Sequence, residues 1–206
     1  MKLFLASWGP WKNTTLEKAF LDLPSKPISE NKLLILSINT TSESSQERLG
    51  TVRKWYQKIG LQEKNINILN LNTDAIPSFR DLDILHIWGG NTFRYLQRIR
   101  ELGLESRIRD FIDRDGVYVG SSAGSTIMCP DVDENFINSV NKIGLIDVRG
   151  FGYVDFYMSP HWDTKNHGEK RTSQIKYSWE SGKRLIPLTD QQAVLVLDSD
   201  FNIVSP

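Results

Sequence analysis

Apolar residues along this chain fall into two alternating patterns. Short, mostly apolar runs occur at Leu3 to Ala6, Leu33 to Ile38, Ile66 to Leu71, Ile84 to Ile87 and Val117 to Val119, each ending in polar residues or glycine. Such runs are typical of strands buried on both faces. Between them the spacing changes to that of a helix. Leu49, Val52, Trp55, Tyr56 and Ile59 keep a 3.6-residue stripe, and Ser44 with Glu47 has the spacing of a capping box at its start. Phe93, Leu96 and Ile99, then Ile108, Phe111 and Ile112, repeat the pattern. Strands alternating with helices predict an α/β fold with a mostly parallel sheet and helices on both faces, because parallel strands need crossover connections. Ligands in such folds bind at the carboxyl ends of the strands. Beyond Ile143 the pattern weakens to shorter runs at Tyr153 to Met158, Arg184 to Pro187 and Ala193 to Leu197, which are expected to include antiparallel additions to the sheet.

Composition narrows the function classes. With no repeat or linker-like tract to divide them, the 206 residues are expected to form one domain, 1–206. The 25 basic and 25 acidic residues cancel, so charge argues for no nucleic-acid partner and no membrane partner, and small neutral or zwitterionic ligands fit better. A single cysteine, Cys129, rules out an intramolecular disulfide and points to a reducing, cytoplasmic setting. The apolar start, Met1 to Ala6, is too short for a signal-peptide core or a membrane span. Either a monomer or a homodimer is compatible with these features.

The segment richest in chemistry is Val117-Tyr-Val-Gly120-Ser-Ser122-Ala-Gly124, a buried strand running into small residues and then a helix. This is the setting of a nucleophile elbow, in which Gly120 and Gly124 relieve crowding around a sharply bent Ser122. The N–H groups at the start of the following helix can receive an oxyanion, and Ala123 supplies one. A second glycine turn, Trp88-Gly89-Gly90-Asn91-Thr92, ends the preceding strand on the same sheet edge. Its plain reading is a strand-to-helix loop with the helix starting at Asn91 or Thr92. Beside Ser122 it also offers the N–H of Gly90 as a second oxyanion donor. The turn lacks the third glycine of a dinucleotide fingerprint.

A serine hydroxyl needs a base, and the histidines are His86, His161 and His167. His86 lies inside an apolar strand and reads as a buried, satisfied residue. His167 sits in a charged loop and reads as a solvated one. His161 opens a polar loop after Phe156 to Pro160, a strand-end position suited to a catalytic side chain. A carboxylate should orient the imidazole, and Asp190, Asp163, Asp131, Asp133 and Glu134 are all candidates. His161, Asp163, His167 and Glu169 could together ligate a metal, but neither His-x-Asp nor His-x-Glu is a specific metal signature and the elbow would then have no purpose. No metal or cofactor is expected.

Gly89-Gly-Asn-Thr-Phe93, Gly120-Ser-Ser-Ala-Gly124, Pro160-His161 and Gly168-Glu-Lys-Arg171, in this order and spacing, resemble the peptidase E, or alpha-aspartyl dipeptidase, family, to which cyanophycinase is related. The resemblance spans most of the chain. It implies a three-layer, glutamine-amidotransferase-like sandwich and a Ser-His-acid peptidase that removes an N-terminal aspartate from dipeptides. Ser122 would be the nucleophile and His161 the base, with Gly90 and Ala123 forming the oxyanion hole. Asp190 in Leu188-Thr-Asp-Gln corresponds to the family's acidic member, a shorter carboxylate where the family has glutamate. Arg171 matches the arginine that pairs with the substrate's aspartyl group, its other reading being a solvated helix-face charge. Asn91 of the glycine turn is a further substrate-binding candidate. Departures are Trp88 in place of a third glycine, Ser121 in place of an aromatic residue, and a shorter loop from His161 to Gly168. Two other readings stand beside the peptidase: a non-catalytic small-molecule-binding protein of the same fold, and a relative of cysteine-elbow amidotransferases. In the latter case Cys129 would have to act, although its place past the elbow suits packing better.

Overall fold

The structure is a computed structural model and describes residues 1–9, 14–38, 43–137, 139–165 and 168–206. A seven-stranded sheet runs in the order β3-β2-β4-β5-β1-β8-β9. Its strands are β1 (Lys2–Ala6), β2 (Leu33–Ser37), β3 (Ile66–Asn70), β4 (Ile84–Ile87), β5 (Val117–Ser121), β8 (Ala193–Leu197) and β9 (Asp200–Val204). The first five are mutually parallel, whereas β8 pairs antiparallel with β1 and β9 antiparallel with β8. Parallel alignment brings the carboxyl ends of β1, β4 and β5 to one edge.

The near-continuous apolar runs have a simple cause: alternate residues enter different cores. Leu3 and Leu5 of β1, Leu34 and Leu36 of β2, and Leu85 and Ile87 of β4 join Phe93, Leu96, Ile99, Ile108 and Phe111 on one face. Those five come from α3 (Thr92–Glu101) and α4 (Leu104–Asp113). Phe4, Ala6, Leu33, Ile35 and Ile84 point to the other face, against Leu16 and Phe20 of α1 (Thr14–Leu21) and Leu49, Val52, Trp55 and Tyr56 of α2 (Glu43–Lys58). The result is the expected three-layer α/β sandwich.

The remaining elements are α5 (Ala123–Thr126), β6 (Tyr157–Ser159), α6 (Gly168–Ser181) and β7 (Leu185–Pro187). Several expectations need correction here. Ser44 and Glu47 do not form a capping box, because α2 already includes Glu43 and both residues lie in its opening turns. Of the three late runs, Ala193 to Leu197 adds antiparallel to the sheet as expected, whereas β6 and β7 pair in parallel as a separate two-stranded sheet. The run expected from Tyr153 begins as a strand only at Tyr157, since the chain before it is bonded elsewhere, with Phe151 N–H on Ile127 O (2.7 Å) and Tyr153 N–H on Met128 O (3.0 Å). No helix among the described residues is long and apolar enough to cross a membrane.

Candidate active site

Ser122 follows β5 at the turn into α5, with φ 51° and ψ −106°, a strained combination for a residue with a side chain. Two close approaches hold it there. A Cβ on Gly124 would lie 1.9 Å from Ile87 O, and one on Gly120 would lie 2.6 Å from Ser125 N, so only glycine lets the turn press against β4 and its own helix. The Ser122 N–H is bonded to Ala6 O (3.0 Å), and Ser125 Oγ donates to the same carbonyl (2.8 Å). Serine at a helix N-cap ordinarily accepts from the first turn, but Ser122 makes no such bond. Its Oγ instead lies 3.0 Å from His161 Nε2.

His161 stands just beyond β6 and Asp190 just beyond β7, so the small parallel sheet presents both at its carboxyl ends. The ladder continues past the strands, with Leu188 N–H on Ser159 O (3.0 Å) and Trp162 N–H on Leu188 O (2.9 Å). His161 Nδ1 lies 2.6 Å from Asp190 Oδ1, and the two side chains are 18% and 27% exposed. A carboxylate can only accept, so Nδ1–H donates to Asp190 and Nε2 is left to accept the Ser122 hydroxyl proton. His161 also has a left-handed φ of 63°. Its carbonyl accepts from Thr164 N (3.1 Å) and Thr164 Oγ1 (2.9 Å), which closes the turn that carries it.

Ser122 and His161 line a cleft of about 560 Å³, together with Trp8, Arg48, Trp88, Gly89, Gly90, Ala123 and Lys142 among others. Gly89 lies against the serine, a Cβ on it reaching 3.6 Å from Ser122 Cβ. Neither Gly90 N–H nor Ala123 N–H donates to an acceptor among the described residues. Both residues line the cleft. The helix after the elbow is only one turn long, so these individual donors matter more than a summed dipole. Among the described residues lining the cleft, the Lys and Arg side chains are Arg48 and Lys142, and no carboxylate is present.

Other candidates occupy different settings. Asn91 lines the cleft, but its Oδ1 caps α3 by accepting from Arg94 N (3.1 Å) and its Nδ2 donates to Val140 O (3.1 Å). Arg171 is not among the described lining residues; its Nη2 donates to Thr164 O (3.0 Å) and its guanidinium lies 5.9 Å over the Trp162 ring. Of the other acids, Asp163 Oδ1 accepts the Asp190 N–H (3.0 Å), while Asp133 is bonded to Lys183 (2.8 Å) and Asp131 to Tyr157 (2.8 Å). His167, named both as a base and as a metal ligand, lies outside the described residues. His86 is buried between Tyr56 Oη (3.0 Å) and Ser121 Oγ (2.9 Å), and desolvation pushes its pKa down to about 3. Cys129 sits in the core, where burial pushes its thiol up to about 12, a poor state for a nucleophile.

Sequence reasoning missed Ser7, Trp8 and Arg48. Ser7 and Trp8 follow β1 and so share the sheet edge of the two glycine turns, a signal available from the parallel pattern itself. Trp8 packs at a tilt against Trp88 and edge-on to His161, with ring centroids 5.7 and 5.6 Å apart, and Arg48 reaches over it at 5.9 Å. Nothing in the stripe of α2 marks Arg48, which becomes relevant only because that helix overlies the end of the sheet.

The sequence model of peptidase family S51 matches residues 3–204. Peptidase E of Escherichia coli O1:K1 / APEC is 30% identical over 110 residues, which is 50% of this chain and 46% of that protein. Peptidase E of Salmonella newport (strain SL254) is 29% identical over 119 residues, or 54% of this chain and 50% of the relative. The chain thus spans about half the length of the curated relatives it matches. The fold is shared with the crystal structure of a protein provisionally named peptidase E from Listeria monocytogenes EGD-e, at a TM-score of 0.80 and 19% identity, covering 100% of this chain and 98% of the other. A peptidase from an acI-B1 Actinobacterium superposes with a TM-score of 0.69 at 17% identity, covering 100% and 87%.

Proposed function

This chain belongs to peptidase family S51, and from that premise we propose that it is a serine peptidase that hydrolyses small peptides, dipeptides with an N-terminal aspartate among them. The observation that carries the reading is the hydrogen-bonded chain from Ser122 Oγ through the His161 ring to Asp190, at 3.0 and 2.6 Å. His161 Nε2 takes the hydroxyl proton as Ser122 Oγ attacks the peptide carbonyl. The oxyanion is received by the N–H groups of Gly90 and Ala123; loss of one such donor typically costs about 10²–10³ in kcat. His161 then passes the proton to the departing amine, leaving an ester on Ser122, and activates the water that hydrolyses it. Asp190 holds the imidazole tautomer and stabilises the imidazolium throughout.

Arg48 and Lys142, facing a cleft whose described residues include no carboxylate, support selection of an acidic substrate group. In this reading Arg171 acts at one remove, holding the turn of His161 through Thr164. Two assays test the proposal. Ser122→Ala should abolish cleavage of Asp-Leu and labelling by a fluorophosphonate; undiminished cleavage removes Ser122 as nucleophile, and absence of labelling in folded wild-type protein favours a binding role. Arg48→Ala should raise KM for Asp-Leu by about 10-fold or more, the value of a charge-assisted hydrogen bond, with little effect on Ala-Leu. A selective rise for Arg171→Ala alone would return the role to Arg171.

A further inference from the structure

The carboxyl end of β1 touches all three members of the proposed triad. Ala6 O holds the Ser122 N–H (3.0 Å). The next residue, Ser7, is completely buried and holds the other two: its Oγ accepts the His161 N–H at 2.7 Å and donates to Asp190 Oδ1 at 2.9 Å. The Ser7 N–H is bonded to Gln192 O (3.2 Å), which fixes the serine against the start of β8.

The geometry points to Ser7 as a positioning residue, which sets the separation and angle between the base and its acid; this rests on the Ser122-His161-Asp190 reading above. Three features argue for it. First, His161 and Asp190 come from different strands of a small sheet, and the Ser7 hydroxyl links the two to the main sheet through one atom. Second, Asp190 Oδ1 accepts from both His161 Nδ1 (2.6 Å) and Ser7 Oγ (2.9 Å). The second donor limits rotation of the carboxylate, and a loosely held carboxylate would not keep the imidazole aligned with Ser122. Third, His161 is held at a left-handed φ of 63°, a conformation that persists only when its surroundings over-determine it. The bond from its N–H to Ser7 is one such restraint. Removing the hydroxyl takes away one acceptor from the His161 N–H and one donor from the Asp190 carboxylate, so the loss falls on alignment in the transition state rather than on substrate binding.

The test uses the full-length chain with Ser7→Ala and the nearly isosteric Ser7→Cys, whose thiol fills the site but is a weak donor and acceptor. Each is measured for kcat and KM on the cleaved dipeptide, rate of fluorophosphonate labelling at Ser122, and Tm. The expected result is a 10- to 100-fold fall in kcat and in labelling rate for both variants, KM within about twofold, and a Tm for Ser7→Cys close to wild type. Combined with Asp190→Asn, Ser7→Ala should cost less than the product of the two separate losses, because both act on one hydrogen-bonded unit. Wild-type kcat and labelling in Ser7→Cys, or multiplicative losses in the double variant, would overturn the role of Ser7 alone. A wild-type protein not labelled at Ser122 would overturn the triad and this role with it.

Discussion

Replacing Asp190 by asparagine tests the electrostatic centre of the proposed site. The substitution preserves size and leaves an oxygen able to accept from His161 Nδ1 and Ser7 Oγ, now 2.6 and 2.9 Å from the carboxylate. What disappears is the negative charge facing the imidazolium during attack, together with the guarantee that Nδ1 faces an acceptor. Unit charges 2.6 Å apart attract by about 6 kcal/mol at an effective dielectric of about 20, equivalent to about four decades of rate at 1.36 kcal/mol each. An amide for carboxylate change in a Ser-His-Asp triad costs about 10⁴ in kcat, the same scale. The assay compares initial rates on Asp-Leu and fluorophosphonate labelling, with Tm and circular dichroism confirming that the variant is folded. A loss smaller than 10-fold in folded protein would mean that Asp190 does not support the base, and would refute the argument from geometry.

Other expectations follow from the same coordinates. Gly124→Ala should lower stability by about 3 kcal/mol or more, since its Cβ would meet the Ile87 carbonyl at 1.9 Å and backbone cannot rotate aside; that corresponds to about 6–12 °C in Tm, and a change below 2 °C would contradict it. His86 makes stability fall with acid. Burial depresses its native pKa to about 3 from 6.5, so the unfolded chain takes up a proton that the native state refuses. The stabilisation is complete above about pH 6.5 and is lost as pH falls toward 3, at about 1.4 kcal/mol per unit. Urea unfolding at pH 7 and pH 4 should therefore show a fall in wild type larger than in His86→Gln by about 3 kcal/mol, and parallel profiles would exclude His86 as the cause.

Parts of this molecule could be read directly from residue order, and the reason is local. β1, β2, β4 and β5 are legible because a strand covered on both faces must be apolar at successive positions, as Leu3, Phe4 and Leu5 are. α3 announces itself through Asn91, which caps it as expected, and through the stripe of Phe93, Leu96 and Ile99. The elements that escaped notice lack such contrast. β9 is exposed along almost its whole length, so no burial pattern marks it. α6 opens with Gly168-Glu-Lys-Arg171, which reads as a charged loop when its packing is unknown.

The site divides along the same line. The turn at Ser122 and its flanking glycines was legible in sequence alone, because a sharp bend between strand and helix demands small residues within a few positions of its centre. His161 was legible as a residue at a strand end. Periodicity could not choose Asp190 over Asp163, Asp131 and Asp133, and only the family resemblance named it; its contact with His161, 29 residues away in sequence, is a product of tertiary structure. The same holds for Ser7, 154 residues from His161 in sequence and 2.7 Å away in space, and for Arg48, which only the placement of α2 brings to the cleft. Local sequence dictates which elements form and where a strained turn is tolerated. Packing of the two sheets and their helices decides which distant side chains share a hydrogen bond.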